Sequence, residues 1–254
     1  MIVFDIETGP LADEQLRPLC PDFVPPPHPG EFDPSAVKVG NLKDAAKIQE
    51  KIEAARQAHR ELVSDFDRHV EAARAAHWAE FVGKAALSAL TGRVLAIGYR
   101  SERATVIHHL DENADAGEAG LIAQFWHRYR KSKGDRRPLV GHNIAGFDIP
   151  FLVRRSWLLE IDVPDGVLDA NWRYLDRTFI DTMLRWQAGN YRDQYVKLDA
   201  LGKALGVGGK TEGVDGADFH RLYFGAAEER AKALEYLARD VELTWLVAQR
   251  LGIV

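Results

Sequence analysis

The chain has 254 residues, 46% of them hydrophobic, enough for one full core plus a sizeable appendage. Its net charge of -5 argues against a protein that coats duplex nucleic acid, which would be basic, but is compatible with a short grip on a strand end. A single cysteine, Cys20, excludes an intrachain disulfide framework and a cysteine zinc site, and no apolar run approaches the roughly 18–20 residues of a membrane span.

The N-terminus enters Met1-Ile2-Val3-Phe4-Asp5 directly, without the basic and apolar regions of a secretory signal, so a reducing cytoplasm is the expected setting. Ile2 to Ile6 predicts a short buried strand, and Gly9 and Pro10 a turn after it. Residues 18–34 hold Pro21, Pro25, Pro26, Pro27, Pro29 and Pro34 and predict an extended or irregular loop. From Asn41 to Val82 there is neither Gly nor Pro. Apolar residues recur there at Ile48, Ile52, Ala55, Leu62, Phe66, Val70, Ala73 and Phe81, a helical stripe. One helix would run about 60 Å at roughly 1.5 Å per residue; a break near Ser64-Asp65-Phe66-Asp67 would give a helical hairpin. Its charges are mixed in sign, which suits a solvated surface better than a nucleic-acid stripe.

Arg93 to Tyr99 predicts an apolar strand, with Ala104 to His109 as its hairpin partner. Glu118 to Lys131 is an amphipathic helix carrying Leu121, Ile122, Phe125, Trp126 and Tyr129. A strand at Pro138 to Gly141, a helix over Gly146–Leu159 and a further short strand or turn at Thr178–Asp181 come next. Helices over Lys197–Leu205 and Ala226–Leu251 close the chain. This order predicts an α/β fold, a mixed sheet with helices on its faces. The chain is read as one domain, 1–254, with residues 35–84 inserted between the first two strands. Trp126, Trp157 and Trp245 are expected in the core, and Trp172 and Trp186 are the better base-stacking candidates.

Three distant stretches hold the acids. Asp5 and Glu7 are two apart on a strand and share a face, where their repulsion asks for a cation or a proton. Asp148 falls in the first turn of its helix. Tyr236 and Asp240, four apart, share a face of the last helix. Taken singly these are also an exposed strand-face pair, a helix cap and an ordinary i,i+4 pair. Taken together, four carboxylates offer hard oxygen ligands for two divalent ions, Mg²⁺ or Mn²⁺.

In this order the three stretches, Ile2 to Thr8, Gly141 to Asp148 and Tyr236 to Thr244, resemble the DEDD superfamily of 3′→5′ exonucleases. Tyr236 stands where one branch carries tyrosine, and Glu235, five before Asp240, stands where the other carries histidine. Asn143, five before Asp148 with Gly146 and Phe147 between, is similar to the proofreading domains of family-B DNA polymerases and the stand-alone exonucleases like them. The resemblance covers residues 1–12 and about 85–254 and gives the inserted segment no function.

That resemblance implies a ribonuclease H-like fold and a two-metal hydrolysis of phosphodiester bonds from single-stranded 3′ ends, with DNA favoured over RNA. Asp5 would bridge both ions, Glu7 and Asp240 would complete the first, and Asp148 would hold the second largely through water. Tyr236 would orient the attacking water. Thr8, Asn143 and Phe147 would touch the terminal nucleotides, Leu11 matches an apolar wedge between the last two bases, and Lys197 supplies charge to a strand-binding loop. The loop residues Lys210 and Gly213 to Gly216 carry the same likeness. Asp181 reads as a structural strand-end acid, and Glu242 as a surface residue. The inserted helices could dock onto a polymerase or another replication protein, dimerise the chain or cover the substrate channel, and the sequence leaves these open.

Overall fold

A computed structural model describes residues 1–110, 117–168, 179–190, 195–209 and 216–253. Trp172, Thr178, Lys210 and Gly213 to Asp215 lie outside the described residues. In chain order the elements are strand β1 (Ile2–Pro10) and helices α1 (Asp13–Leu16), α2 (Ala45–Ser64) and α3 (Phe66–Ala85). Next come β2 (Gly92–Arg100), β3 (Thr105–His109), α4 (Gly117–Gly134), β4 (Leu139–Gly141) and α5 (Asp148–Leu158). The chain ends with β5 (Phe179–Asp181), α6 (Thr182–Trp186), α7 (Leu198–Ala204), α8 (Phe219–Tyr223) and α9 (Ala227–Arg250). It divides into two compact units, one of Met1–Leu16 with Ala85–Val254 and one of Arg17–Lys84.

The first unit is built on a five-stranded sheet in the order β3-β2-β1-β4-β5. β1 and β2 pair antiparallel, as do β2 and β3, whereas β1 with β4 and β4 with β5 are parallel. The sheet is therefore mixed, as the alternation of strand and helix predicts. β1 is central, and Val3 and Phe4 on it are fully buried. Phe4 lies 5.0 Å from Phe125 of α4, so that face packs on α4. Asp5, one residue on, is on the other face, as the pleat requires.

Register places Asp5 opposite Gly98 on β2. A Cβ at Gly98 would stand 3.0 Å from both Leu237 Cγ and Val241 Cγ1 of α9. The missing side chain lets α9 approach the sheet beside Asp5. α9 is also tied to β2 and β3 by Glu242, which pairs with Arg100 at 2.7 Å and accepts the Thr105 hydroxyl. Glu242, expected at the surface, is thus a half-buried tether, because the turn of α9 that carries Asp240 inward also brings Glu242 onto the strand edge.

On the α4 side, the Arg155 guanidinium of α5 grips Glu118 of α4 at 2.9 and 2.6 Å and donates to the Ala89 carbonyl at 3.1 Å. Both side chains are buried, and Glu118 also accepts from Val94 N–H of β2 at 2.9 Å. The Trp126 indole donates to Ser156 Oγ at 2.8 Å. Trp126 and Trp245 are buried as expected, but Trp157 is 59% exposed. The inward positions in the last turn of α5 are held by Arg155 and Ser156, which leaves Trp157 facing out.

The second unit breaks its helix where the sequence suggests, at Asp65, with φ -98° and ψ 1°. The result is not a hairpin: α2 and α3 do not lie side by side. Their partner is the proline-rich segment, which runs antiparallel along them. Arg17 stacks on Trp78, Arg74 on Phe23 and Arg56 on Phe32, with His28 edge-on to Phe66 between. Proline keeps that segment extended, and its rings, spaced along it, meet successive turns of the helices. α2 has no buried residue.

Candidate functional site

The three acidic stretches converge in the first unit. Asp5 and Glu7 on β1 and Asp240 on α9 bring their carboxylate oxygens within 4.8 Å of one another. β1 presents Asp5 and Glu7 on one face, and the glycine gap at Gly98 lets α9 deliver Asp240 to them. Three carboxylates this close repel unless cations join them, and all-oxygen donors suit Mg²⁺ or Mn²⁺, so the donor set fits divalent ions.

Asp148 opens α5 beneath this group and is buried. It accepts from Ile6 N–H at 3.1 Å and shares a hydrogen bond with Asp5. Burial pushes its carboxyl up to about 7, and the Ile6 N–H opposes the rise without cancelling it. The Tyr236 phenol is buried one turn before Asp240 and hydrogen-bonds to it. Burial first, then the charges of Asp240, Glu7 and Asp5, raise its pKa, so it keeps its proton at neutral pH.

Asp181 fixes the segment that leads into Asp148. Its carboxylate accepts from Asn143 and Ala145 N–H, each at 2.9 Å, and caps α6 through Met183 N–H at 2.9 Å. That is the structural role its strand-end position suggests. Asn143 sits at φ 59°, the left-handed region that Asn tolerates. A Cβ at Gly146 would stand 2.5 Å from Asn143 Oδ1, so the tight turn needs both residues.

These groups line a cavity of about 630 Å³, within the range of small-ligand sites. Asp5, Glu7, Asn143, Phe147, Asp148, Lys197, Tyr236 and Asp240 all border it. Two expected substrate contacts stand apart. The Thr8 hydroxyl donates to the Ala86 carbonyl at 2.7 Å, and Leu11, half-buried with its N–H on the Thr91 carbonyl, is not among the bordering residues. Tyr195 and Asp199, in the segment that flanks Lys197 and shares its strand-binding likeness, border the cavity too, and Leu87, His142, Lys203 and Thr244 border it without having been given a role from the sequence. His142 holds the rim together, reaching Thr182 Oγ1 at 2.9 Å and the Val196 carbonyl at 2.8 Å. His142 lies in the second motif stretch, but its partners are 40 and 54 residues away, so the sequence alone does not show what it does. Trp186, 43% exposed, is not on the border either.

A mixed α/β sheet flanked by helices, with acids from its central strand and last helix meeting at one end, defines the ribonuclease H-like class. Residues 85–254 match the family described as predicted 3′-5′ exonuclease related to the exonuclease domain of PolB, and the chain belongs to it. The match leaves out β1; the fold supplies Asp5 and Glu7 to the matched part. Among solved structures, the family B DNA polymerase of the hyperthermophilic archaeon Pyrobaculum calidifontis is similar, at TM-score 0.52 and 19% identity over 67% of this chain. The likeness spans 23% of that polymerase and concerns the fold alone. No curated protein matches the chain. Among the described residues, no helix is long and apolar enough to cross a membrane.

Proposed function

We propose that the chain is a 3′→5′ exonuclease that removes nucleoside 5′-monophosphates from single-stranded DNA ends, using two divalent cations, Mg²⁺ or Mn²⁺. The observation that carries this reading is the convergence of Asp5, Glu7 and Asp240 within 4.8 Å, from the two ends of the chain. Asp5, Glu7 and Asp240 would hold one ion, and Asp148 beside Asp5 the other. When bound, the ions would supply charge to neutralise the phosphate, a water that is nucleophilic at neutral pH and stabilisation of the leaving 3′-oxygen.

The chain's own groups do the rest. Tyr236, protonated and anchored on Asp240, orients the attacking water through its hydroxyl oxygen. Lys197 and the half-buried Phe147 ring border the path of the strand, the first toward phosphate and the second toward a base face. Asp181 and His142 keep those borders in place. Water adds to phosphorus, the P–O3′ bond breaks, and the shortened strand keeps a 3′-hydroxyl.

The test uses 5′-labelled single-stranded DNA, a 3′-mismatched primer–template and the equivalent RNA, each with Mg²⁺, Mn²⁺ or EDTA. The expected result is a metal-dependent ladder shortening from the 3′ end, fastest on DNA, and lost with folded Asp5→Ala or Asp240→Ala protein. An RNA ladder that runs faster reassigns the substrate. Full activity in either variant refutes the carboxylate assignment.

A further inference from the structure

Leu87 is 71% exposed and borders the cavity that Asp5, Glu7, Asp148 and Asp240 also border. A leucine on the border of a cavity that holds four carboxylates gains nothing from water or from the cations they attract. It gains from an apolar, flat surface entering the cavity, and a nucleobase offers one. Phe147 and Tyr195, on the same cavity border, present further apolar faces. Tyr195 is 60% exposed.

The turn that carries Leu87 is held in place. Thr8, the residue after Glu7, donates its hydroxyl to the Ala86 carbonyl at 2.7 Å and is itself buried. Thr91 Oγ1 donates to the Ala85 carbonyl at 2.9 Å, and Gly92 N–H to the Ser88 carbonyl at 2.7 Å. The strand that bears the acids thus fixes the residue before Leu87. Leu11, the other apolar candidate near this strand, is half-buried and off the cavity border.

Resting on the exonuclease reading, we propose that Leu87, in the turn where the inserted segment rejoins the sheet, contacts the 3′-terminal base, and that Thr8 is the positioning residue that aims it. A contact with the base, unlike one with phosphate or sugar, is absent when the base is absent. Removing the leucine side chain forfeits about tenfold in kcat/KM on an intact end.

The experiment compares cleavage of two single-stranded DNAs that differ only in a 3′-terminal nucleotide, intact or abasic, by wild type, Leu87→Ala, Thr8→Val, Thr8→Ser and Leu11→Ala. Leu87→Ala perturbs no core, and circular dichroism checks every variant. Wild type is expected to prefer the intact end. Leu87→Ala and Thr8→Val lose that preference, whereas Thr8→Ser, which retains the hydroxyl, keeps it. Preference retained in Leu87→Ala, or abolished by Leu11→Ala instead, overturns the proposal while leaving the exonuclease intact. Absence of 3′ shortening by wild type on either DNA overturns the exonuclease reading itself, and the Leu87 assignment with it.

Discussion

Asp148 is where the chemistry of the site and the stability of the fold conflict. An unfolded aspartate titrates near 3.8, whereas in the fold this one is pushed up to about 7 by burial. Between those values the unfolded chain has released a proton that the folded chain keeps. The stability that Asp148 contributes to the metal-free protein is therefore lost as pH rises from about 4 to about 7, and its effect levels off above. Asp148→Asn cannot ionise, yet its amide oxygen still accepts from Ile6 N–H. In EDTA at pH 8 the variant is expected to be more stable than wild type by on the order of 1–3 kcal/mol, with a flatter pH profile and far lower nuclease activity. Urea melts across pH 4–8 in EDTA check this, and parallel profiles for the two proteins would refute it.

At the scale of elements, what the sequence disclosed followed the reach of its physics. Apolar runs located β1 to β4 and period-3.6 patterns the long helices, and their order implied the mixed sheet, but the expected turn at Gly9 and Pro10 is the end of β1, and residues 178–181, open between strand and turn, hold β5. The acids were legible because they cluster in short stretches. Gly98 was not, since its meaning depends on Asp5 being its register partner and on α9 lying above both. Trp157 misled for the same reason: helical spacing shows which residues share a face, not which face a neighbour covers. The short α1, α6 and α8 lack a full apolar period and went unseen. Gly98 supplies the sharpest test at this scale. Gly98→Val would place atoms within 3.0 Å of Leu237 and Val241 and force α9 away from β1. Overpacking of this kind costs about 1–3 kcal/mol. A folded variant should bind Mn²⁺ at least about tenfold more weakly, as measured by calorimetry, because Asp240 withdraws from Asp5 and Glu7. Wild-type Mn²⁺ affinity in folded Gly98→Val protein would mean that α9 position does not set the metal site.

For the whole molecule, the two units rest on different forces. The first has a conventional core around Phe4, Phe125, Trp126 and Leu237, reinforced by the buried Arg155–Glu118 pair. The second has almost none, for α2 buries no residue, and a helix of 20 residues is marginal alone in water. What it has instead is the proline-rich segment laid along it through ring and guanidinium contacts, such as Arg56 at 5.5 Å over Phe32 and His59 at 5.5 Å from the same ring. Each exposed cation–π contact contributes roughly 0.5–1 kcal/mol, so removing one ring that makes two contacts takes a large share of that support. Phe32→Ala is therefore expected to loosen α2 selectively. Helical signal at 222 nm should fall, and protease cleavage should appear within residues 45–64 at concentrations that leave wild type whole. The unfolding transition of the first unit and its Mn²⁺ affinity should stay unchanged, because none of the carboxylates lies in residues 17–84. Loss of Mn²⁺ binding in step with loss of helix would mean that the units fold as one, and that the inserted segment supports the metal site it interrupts in sequence.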